Sequence, residues 1–504
     1  MQKYVKLIVI FNYKTTHQTM NKIYLLILLF VFSANKINAQ QVDDVRLKTI
    51  NDFLDGYNTQ NFQQMRNVMS SILKIVLTEK RVKLIYGTQF EMFGKVKLDK
   101  IEKRSEQSYL LKLKYERDTT EIDRMGLAIS AKGKIIGMSN PDFKFLFSKT
   151  DKNESFSEID AITQIDSIAN LKYDVADFNG CVLVLKDKKP FYQKCFGYSD
   201  FENKIPLNKN SLFDLASLSK QFTAMSVMLL KGQGKIDYSQ NIKEIMPDFP
   251  YKNITIGNLL NHTSGLPDYM ELFEKSWDKS KIAGNQDVLE YLKKYKPKTH
   301  FKPGKEYEYS NTGYVVLSLI VEKVSGITYS QFIQDNIFLP LGMAYSKIYN
   351  TKYSKNEIVE NYAKGYTYDS KSQKYIPVSQ VSDLDYYRYL DGITGDGAVN
   401  STISDLAKWD NALREYKLIG KEEFNLALQP VQVGKELSEY GYGWELQSND
   451  KYQKLMYHSG NWGGNINFIL HFLENDVTII ILSNNEYFNV PKFAYKIGEI
   501  MHNQ

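Results

Sequence analysis

The sequence predicts an α+β protein in two parts: a small helix-then-sheet domain, then a larger domain in which an antiparallel sheet flanked by helices adjoins a helical region. Length is the first ground, because 504 residues exceed the size at which one hydrophobic core keeps growing. The second is a change of apolar period near Gln89, from helical spacing to short, partly alternating segments. The third is that both ends of the larger part read as strands beside a helix, which lets them share one sheet.

Taking the elements in order, Met20-Asn21-Lys22, the apolar run Ile23 to Phe32 and the stretch Ser33 to Ala39 before Gln40 form the pattern of a secretory signal. Residues 1–39 are therefore expected to be a signal peptide with an upstream extension, and the chain to be exported, periplasmic or secreted. The run is shorter than the ~18 apolar residues of a spanning helix, so no integral membrane segment is expected after signal removal. The net charge of +6 comes almost wholly from this leader: without its five lysines, 59 basic residues face 58 acidic ones. That balance gives no electrostatic reason to expect a nucleic-acid partner.

Residues 40–147 are expected to form the small domain. Ile50, Phe53, Leu54, Tyr57, Phe62, Met65 and Met69 lie at helical spacing, and Phe90 to Leu98, Ser108 to Tyr115, Met125 to Ser130 and Lys134 to Met138 read as strands. The layout is similar to the cone-like SnoaL accessory folds, and no convergent His, Asp or Glu set marks a second active site. Residues 148–157 are polar and read as a linker, and 158–504 as the larger domain. There Ile159, Ile162, Ile165 and Ile168 mark a helix. Cys181 to Leu185 and Phe191 to Phe196 read as a hairpin; Asn465 to Phe472 and Val477 to Ser483 read as strands, and Val490 to His502 as a closing helix.

Cys181 and Cys195 are the only cysteines, which excludes a disulfide scaffold and a cysteine-rich metal site. The hairpin sets the two sulfurs nearly opposite, and export permits a bond. Free cysteine is also a common buried small hydrophobe, and two buried thiols are the expectation. No metal or cofactor is expected.

The chemistry concentrates in three places. Ser217-Leu218-Ser219-Lys220 opens an apolar run to Leu230, so a helix starting close to Ser217 puts Lys220 on the same face as the serine hydroxyl. A serine needs a base, and a lysine serves only where burial or neighbouring charge lowers its pKa. Ser-x-x-Lys alone decides little, since Ser71/Lys74, Ser276/Lys279 and Ser448/Lys451 also match. Downstream, Tyr309 and Asn311 lie two apart in a turn-rich stretch; in an extended loop both face one side, the tyrosine to relay a proton and the amide to hold the lysine and a substrate carbonyl. Last, His458-Ser459-Gly460-Asn461 passes from a strand into a Gly-rich turn, where the Asn461 N–H with that of Ser217 suits an oxyanion hole.

In order, and separated by 92 and 149 residues, these three motifs resemble those of the serine beta-lactamase and class C penicillin-binding family, with its DD-peptidase, esterase and D-aminopeptidase relatives. Leu259 to Pro267, Leu339 to Met343 and Gly397 to Thr402 leading to Trp409 look like further landmarks of that family. The resemblance implies the beta-lactamase/transpeptidase-like fold over about residues 160–504 and an acyl-enzyme on Ser217, with Lys220 and Tyr309 as catalytic partners. Asn311, His458, Ser459, Gly460 and Asn461 are then the substrate and oxyanion residues. His458 stands where typical beta-lactamases carry the lysine of Lys-Thr-Gly, so an anion hold there is expected to be weak and pH-dependent. The implied substrate is a small molecule or peptide carrying an ester or amide, of D-amino-acid, cell-wall or carboxylic-ester type. A beta-lactamase and a non-catalytic penicillin-binding-like sensor are the alternatives. His262, in a Thr-Ser-Gly loop, reads as structural.

Overall fold

The computed structural model describes residues 44–70, scattered positions from 74 to 90, 94–103, 108–116, 123–130, 133–139, 158–176 and, save short stretches, 178–502. The expected signal peptide and linker lie outside the described residues. The chain divides into two compact units, 1–154 and 155–504.

In the first unit, helix α1 (Asp44–Asn58) buries Ile50, Phe53, Leu54 and Tyr57, the face that three- and four-residue spacing dictates. Helix α2 (Phe62–Asn67) starts at Asn61, whose side chain accepts the Gln64 N–H. Four antiparallel strands follow in sequence order: β1 (Val96–Lys103), β2 (Ser108–Tyr115), β3 (Asp123–Ile129) and β4 (Ile135–Ser139). The first strand begins later than its apolar pattern suggests. Phe90 packs its ring 5.8 Å from that of Tyr57, and Gly94, at φ +71°, turns the chain before β1 starts.

In the second unit, α3 (Glu158–Ala176) precedes the hairpin β5 (Gly180–Lys186) and β6 (Lys189–Phe196). Asp187 and Lys188 both have positive φ, the geometry whose twist suits a two-residue hairpin. A six-stranded antiparallel sheet has the order β9 (Glu445–Asn449), β10 (Gln453–Trp462), β11 (Asn465–Phe472), β12 (Val477–Ser483), β5, β6. Its centre joins the two ends of the unit, Val182 opposite Ile481 and Leu183 opposite Ile480. The closing helix α9 (Val490–His502) packs on β11, β12 and α3, so the terminal helices cover one face together. Between these ends run most of the helices, among them α4 (Lys220–Gly232), α5 (Ile256–Leu260), α6 (Tyr269–Ser276), α7 (Asn311–Ser325) and α8 (Ile403–Arg414). Two short strands, β7 (Phe213–Asp214) and β8 (Val399–Ser401), pair antiparallel beside α4.

The cysteines correct the sequence expectation. The β5/β6 register puts Cys181 directly opposite Cys195, with the Cα atoms 4.0 Å apart, and the sulfurs are bonded rather than free. Closing a loop between residues 14 apart restricts the unfolded chain, a contribution of about 1–3 kcal/mol once the hairpin turn's own closure is allowed for. The Cys181→Ala/Cys195→Ala variant is accordingly expected to melt several degrees below the wild type, and added reductant to reproduce that shift. Equal melting points would remove the disulfide from the stability of this unit.

Where α8 meets the far end of the sheet, Asp410 is 1% exposed and lies 2.9 Å from His471 Nδ1, which is also 1% exposed. Thr478 Oγ1 donates to Asp410 at 2.8 Å and Arg414 Nε lies 3.1 Å from the same carboxylate. Arg414 also pairs with Asp476.

Candidate active site

Ser217 is presented by a strained turn. The β7/β8 pairing fixes Asp214 opposite Asn400, Asp214 Oδ1 accepts the Ala216 N–H at 3.0 Å, and Lys352 Nζ lies 3.4 Å from Oδ2. Ala216 is thereby held at φ +51°, a region costly for a residue with a Cβ. Residues Ala216–Ser219 then form a 3₁₀ turn and α4 begins at Lys220, so the helix starts three residues later than the sequence implies. The turn leaves Ser217 half-buried while Ala216 and Leu218 are buried. Gly460 on β10 makes this possible: a Cβ there would stand 2.2 Å from the Leu215 carbonyl oxygen.

Lys220 is fully buried, and its amine donates to Ser217 Oγ at 3.1 Å and to the backbone carbonyl of Asp396 at 2.9 Å. It also lies 4.9 Å from the ring centre of Tyr309 and 5.7 Å from that of Tyr314. Burial pulls its pKa down, against the opposing charges of Asp396 and Asp268. This is the condition under which a lysine accepts a proton near neutral pH.

Tyr309 stands beside this pair, with its ring centre 4.9 Å from the Lys220 amine. Tyr309 is 38% exposed as a residue, and desolvation of its hydroxyl pushes its ionisation well above the usual range. The hydroxyl is thus a proton carrier rather than a resting phenolate. Asn311 does not share an extended loop with Tyr309, because Ser310 caps α7 by accepting the Gly313 N–H at 3.1 Å and Asn311 is the first helical residue. Among the described residues the Lys220 amine is hydrogen-bonded to Ser217 and Asp396, not to Asn311.

The side chains of β10 alternate. Ser459 and Asn461 are exposed, whereas His458 and Gly460 are buried on the opposite face. Both ring nitrogens of His458 are engaged: Nδ1 donates to the Ser459 carbonyl at 2.7 Å and Nε2 accepts from the Tyr440 hydroxyl at 2.9 Å. Burial, with the Lys220 charge adding to it, pulls the His458 pKa down to about 3. The imidazole is neutral and spoken for, so the arrangement gives no support to a pH-dependent hold on an anion. Strand β9 pairs with β10 only from Gln453 to Tyr457, so from His458 onward β10 has, among the described residues, no strand neighbour on that side.

Sequence reasoning missed two contributors, Tyr440 and Asp396, and read a third, His262, as structural without showing what it supports. His262, at φ +59° just after α5, accepts the Ser310 N–H at 3.0 Å. Its ring centre lies 4.3 Å from that of Tyr309, 5.0 Å from Tyr314 and 4.3 Å from Tyr440. It is a structural histidine, but the structure it supports is the Tyr309 loop. Tyr440, which fixes His458, belongs to no motif. Asp396 lies one residue before a stretch noted for its resemblance, and nothing in its spacing marks it.

A serine bonded to a buried lysine beside a tyrosine, between an antiparallel sheet and a helical region, defines a serine hydrolase of beta-lactamase type. The chain belongs to the Beta-lactamase family, whose model matches residues 172–497. It is 43% identical over 310 residues to penicillin-binding protein 4* of Bacillus subtilis (strain 168), covering 61% of this chain and 68% of that protein. It is 27% identical over 349 residues to protein flp of Staphylococcus aureus (strain MW2), covering 66% of this chain and 65% of that one. The chain thus spans about two thirds of the length of these relatives. Among solved structures, the octameric penicillin-binding protein homologue from Pyrococcus abyssi is similar, with 27% identity and a TM-score of 0.58 over 68% of this chain and 77% of that one.

Proposed function

We propose that this protein is an exported hydrolase that opens an amide or ester bond through an acyl-enzyme on Ser217, with extended peptides of D-amino-acid or cell-wall type as its substrates. The observation that carries the reading is that a buried lysine amine meets Ser217 Oγ at 3.1 Å with the Tyr309 ring centre 4.9 Å from that amine. The amine takes the Oγ proton as oxygen attacks the carbonyl, and the proton reaches the leaving group through Tyr309. The N–H groups of Ser217 and Asn461 hold the oxyanion, and water then releases the acid. Asn311 steadies the acyl portion, and the backbone around Ser459 and Gly460 lines its path.

The peptide reading is favoured by the unpaired stretch of β10, which an extended backbone can join as an added strand. The names of the relatives support acylation by a penicillin. With His458 neutral, no cation at the third motif aids rapid beta-lactam turnover. Export is supported by the leader pattern and by the Cys181–Cys195 bond, since such bonds persist in oxidising compartments.

The test is intact-protein mass spectrometry after incubation with a fluorophosphonate and, separately, a penicillin. Both reagents are expected to add one adduct to the wild type and none to Ser217→Ala. Absence of both adducts from folded wild type would sink the hydrolase reading in favour of a non-catalytic binder. A fluorophosphonate adduct without a penicillin adduct would move the substrate from peptides to simple esters.

A further inference from the structure

We propose that Asp396 is a positioning residue for this reaction: its carboxylate is the counter-charge that steadies the Lys220 ammonium as Ser217 gives up its proton. The inference rests on the acyl-enzyme reading above and concerns a residue outside all three motifs. Its role resembles that of the carboxylate behind the histidine in a Ser-His-Asp site, which stays ionised and stabilises the cation formed in front of it.

The geometry begins with a close approach. Gly395 sits at φ +97° against α7, where a Cβ would come within 2.4 Å of the Tyr314 carbonyl oxygen and 2.8 Å of Ser318 Cβ. Its carbonyl accepts from Thr223 Oγ1 on α4. The loop is thereby pinned between α4 and α7, and the next carbonyl, that of Asp396, meets the Lys220 amine. The Asp396 carboxylate is itself buried, at 6% residue exposure, and Oδ2 accepts from the Tyr269 hydroxyl at 2.9 Å. Tyr269 is anchored in turn: its N–H donates to Thr312 Oγ1 at 2.9 Å, and Thr312 donates to the Pro267 carbonyl at 2.8 Å. Thr312 is the second residue of α7, three positions after Tyr309, so one chain of bonds ties the carboxylate to the loop that carries the proton relay.

The charges around Lys220 single out this residue. Facing it are Tyr309 and Tyr314, both kept protonated by burial, and His262 and His458, both kept neutral by burial and by the lysine itself. Tyr269 is likewise held protonated by burial. The carboxylates acting on Lys220 are Asp396 first and Asp268 second. Asp268 is committed to the start of α6, where Oδ1 accepts the Met270 N–H at 2.8 Å. Among the described residues Lys220 makes no direct ion pair. A carboxylate that makes no direct ion pair with it leaves the resting amine free to accept a proton, yet opposes the positive charge once it appears.

The step balances as follows. The Oγ–H bond of Ser217 breaks and its proton passes to the Lys220 amine, which becomes an ammonium. The Oγ lone pair forms the new bond to carbon, or to phosphorus when a fluorophosphonate is the probe, in which case fluoride departs.

The test measures the rate of Ser217 labelling by a fluorophosphonate from about pH 5 to 10, which needs no knowledge of the substrate. In the wild type the rate rises along an acid limb as Lys220 deprotonates. Asp396→Asn removes a negative charge, so the ammonium dissociates more readily and the limb moves to lower pH by about one unit. The plateau falls by roughly 10- to 100-fold, because the ammonium formed on attack has lost its counter-charge. Asp396→Glu keeps the charge and is expected to keep the limb in place. Tyr269→Phe withdraws one hydrogen bond from the carboxylate but leaves its charge in place, and is expected to keep the limb within about 0.3 of a unit. A folded Asp396→Asn with a lowered plateau and an unmoved limb would reduce the residue to a structural one and overturn the proposal. Should that variant not fold, Asp396→Ser, which removes the charge with a smaller polar side chain, carries the same expectation, and an unmoved limb in it overturns the proposal instead. A wild type that is never labelled removes the acyl-enzyme reading itself, which is a distinct result.

Discussion

Replacing Lys220 by methionine is expected to slow acylation of Ser217 by about 10²–10⁴-fold, the usual worth of a positioned base, while leaving the melting temperature at or above that of the wild type. The two halves of this expectation share one cause. Lys220 is fully buried with an amine pulled towards neutrality, so it serves as base because it is an unfavourable place for a cation. An unbranched apolar side chain of similar length fills the same volume and removes the desolvation penalty. Asp396 limits the gain, since it would be left without the cation that faces it. Burial already pushes that carboxyl up, however, and without Lys220 it takes a proton more readily instead of remaining a stranded charge. Labelling rates and thermal melts on the same preparation check both parts. A rate loss below tenfold would deny Lys220 the role of base, and a large fall in melting temperature would make it a structural residue.

The second large effect lies away from the chemistry. Asp410→Ala is expected to cost about 3–5 kcal/mol, because it breaks the fully buried pair with His471 and takes from the partly buried Arg414 one of its two carboxylates. For a unit of this size that is a fall of roughly 6–10 °C in melting temperature. The same cluster gives stability a pH dependence. Burial alone would raise the Asp410 pKa, but the hydrogen bond and charge of His471 together with Arg414 and Thr478 more than offset it, and the net shift is downward. Burial lowers the His471 pKa against the pull of Asp410. Both folded-state values lie below their unfolded ones, so both groups contribute stability at neutral pH that is lost on acidification. The loss begins below about 6.5 for the histidine and below about 3.8 for the aspartate. Melts across pH 3 to 8 should show the wild type losing stability through this range and Asp410→Ala lacking the part below pH 4. A substitution costing under about 1 kcal/mol would show that the cluster is slack.

Much of this was legible in the residues. Continuous apolar runs placed β11 and β12 at their observed bounds, and the segment before His502 placed α9, because these segments are buried on one or both faces and tolerate little else. Ser217, Lys220 and Tyr309 were legible for a different reason: the chemistry needs those side chains at short range, and two of them share one turn. Boundaries set by backbone conformation were not legible. The positive φ of Ala216 delays α4 to Lys220, and the Ser310 cap makes Asn311 helical instead of part of an extended loop with Tyr309. Asp396, Tyr440 and His262 reach the site from separate loops, and sequence spacing carries no information about such a meeting. The cysteines show how a one-sided physical argument misleads. Burial suits a free thiol, but direct cross-strand register decides the bond.

The sheet's pairing order has a consequence for how the molecule is made. Strand β5 has its interior neighbour in β12, almost three hundred residues later, so Leu183 waits for Ile480. Ser217 and its turn emerge early in synthesis, yet the β10 edge against which Gly460 seats that turn emerges near the end. Contacts of such high sequence separation make for slow closure. A chain crossing a membrane in extended form would therefore complete its catalytic machinery only after nearly all of it had passed, and a translation product stopped before β10 would carry the nucleophile without the means to use it.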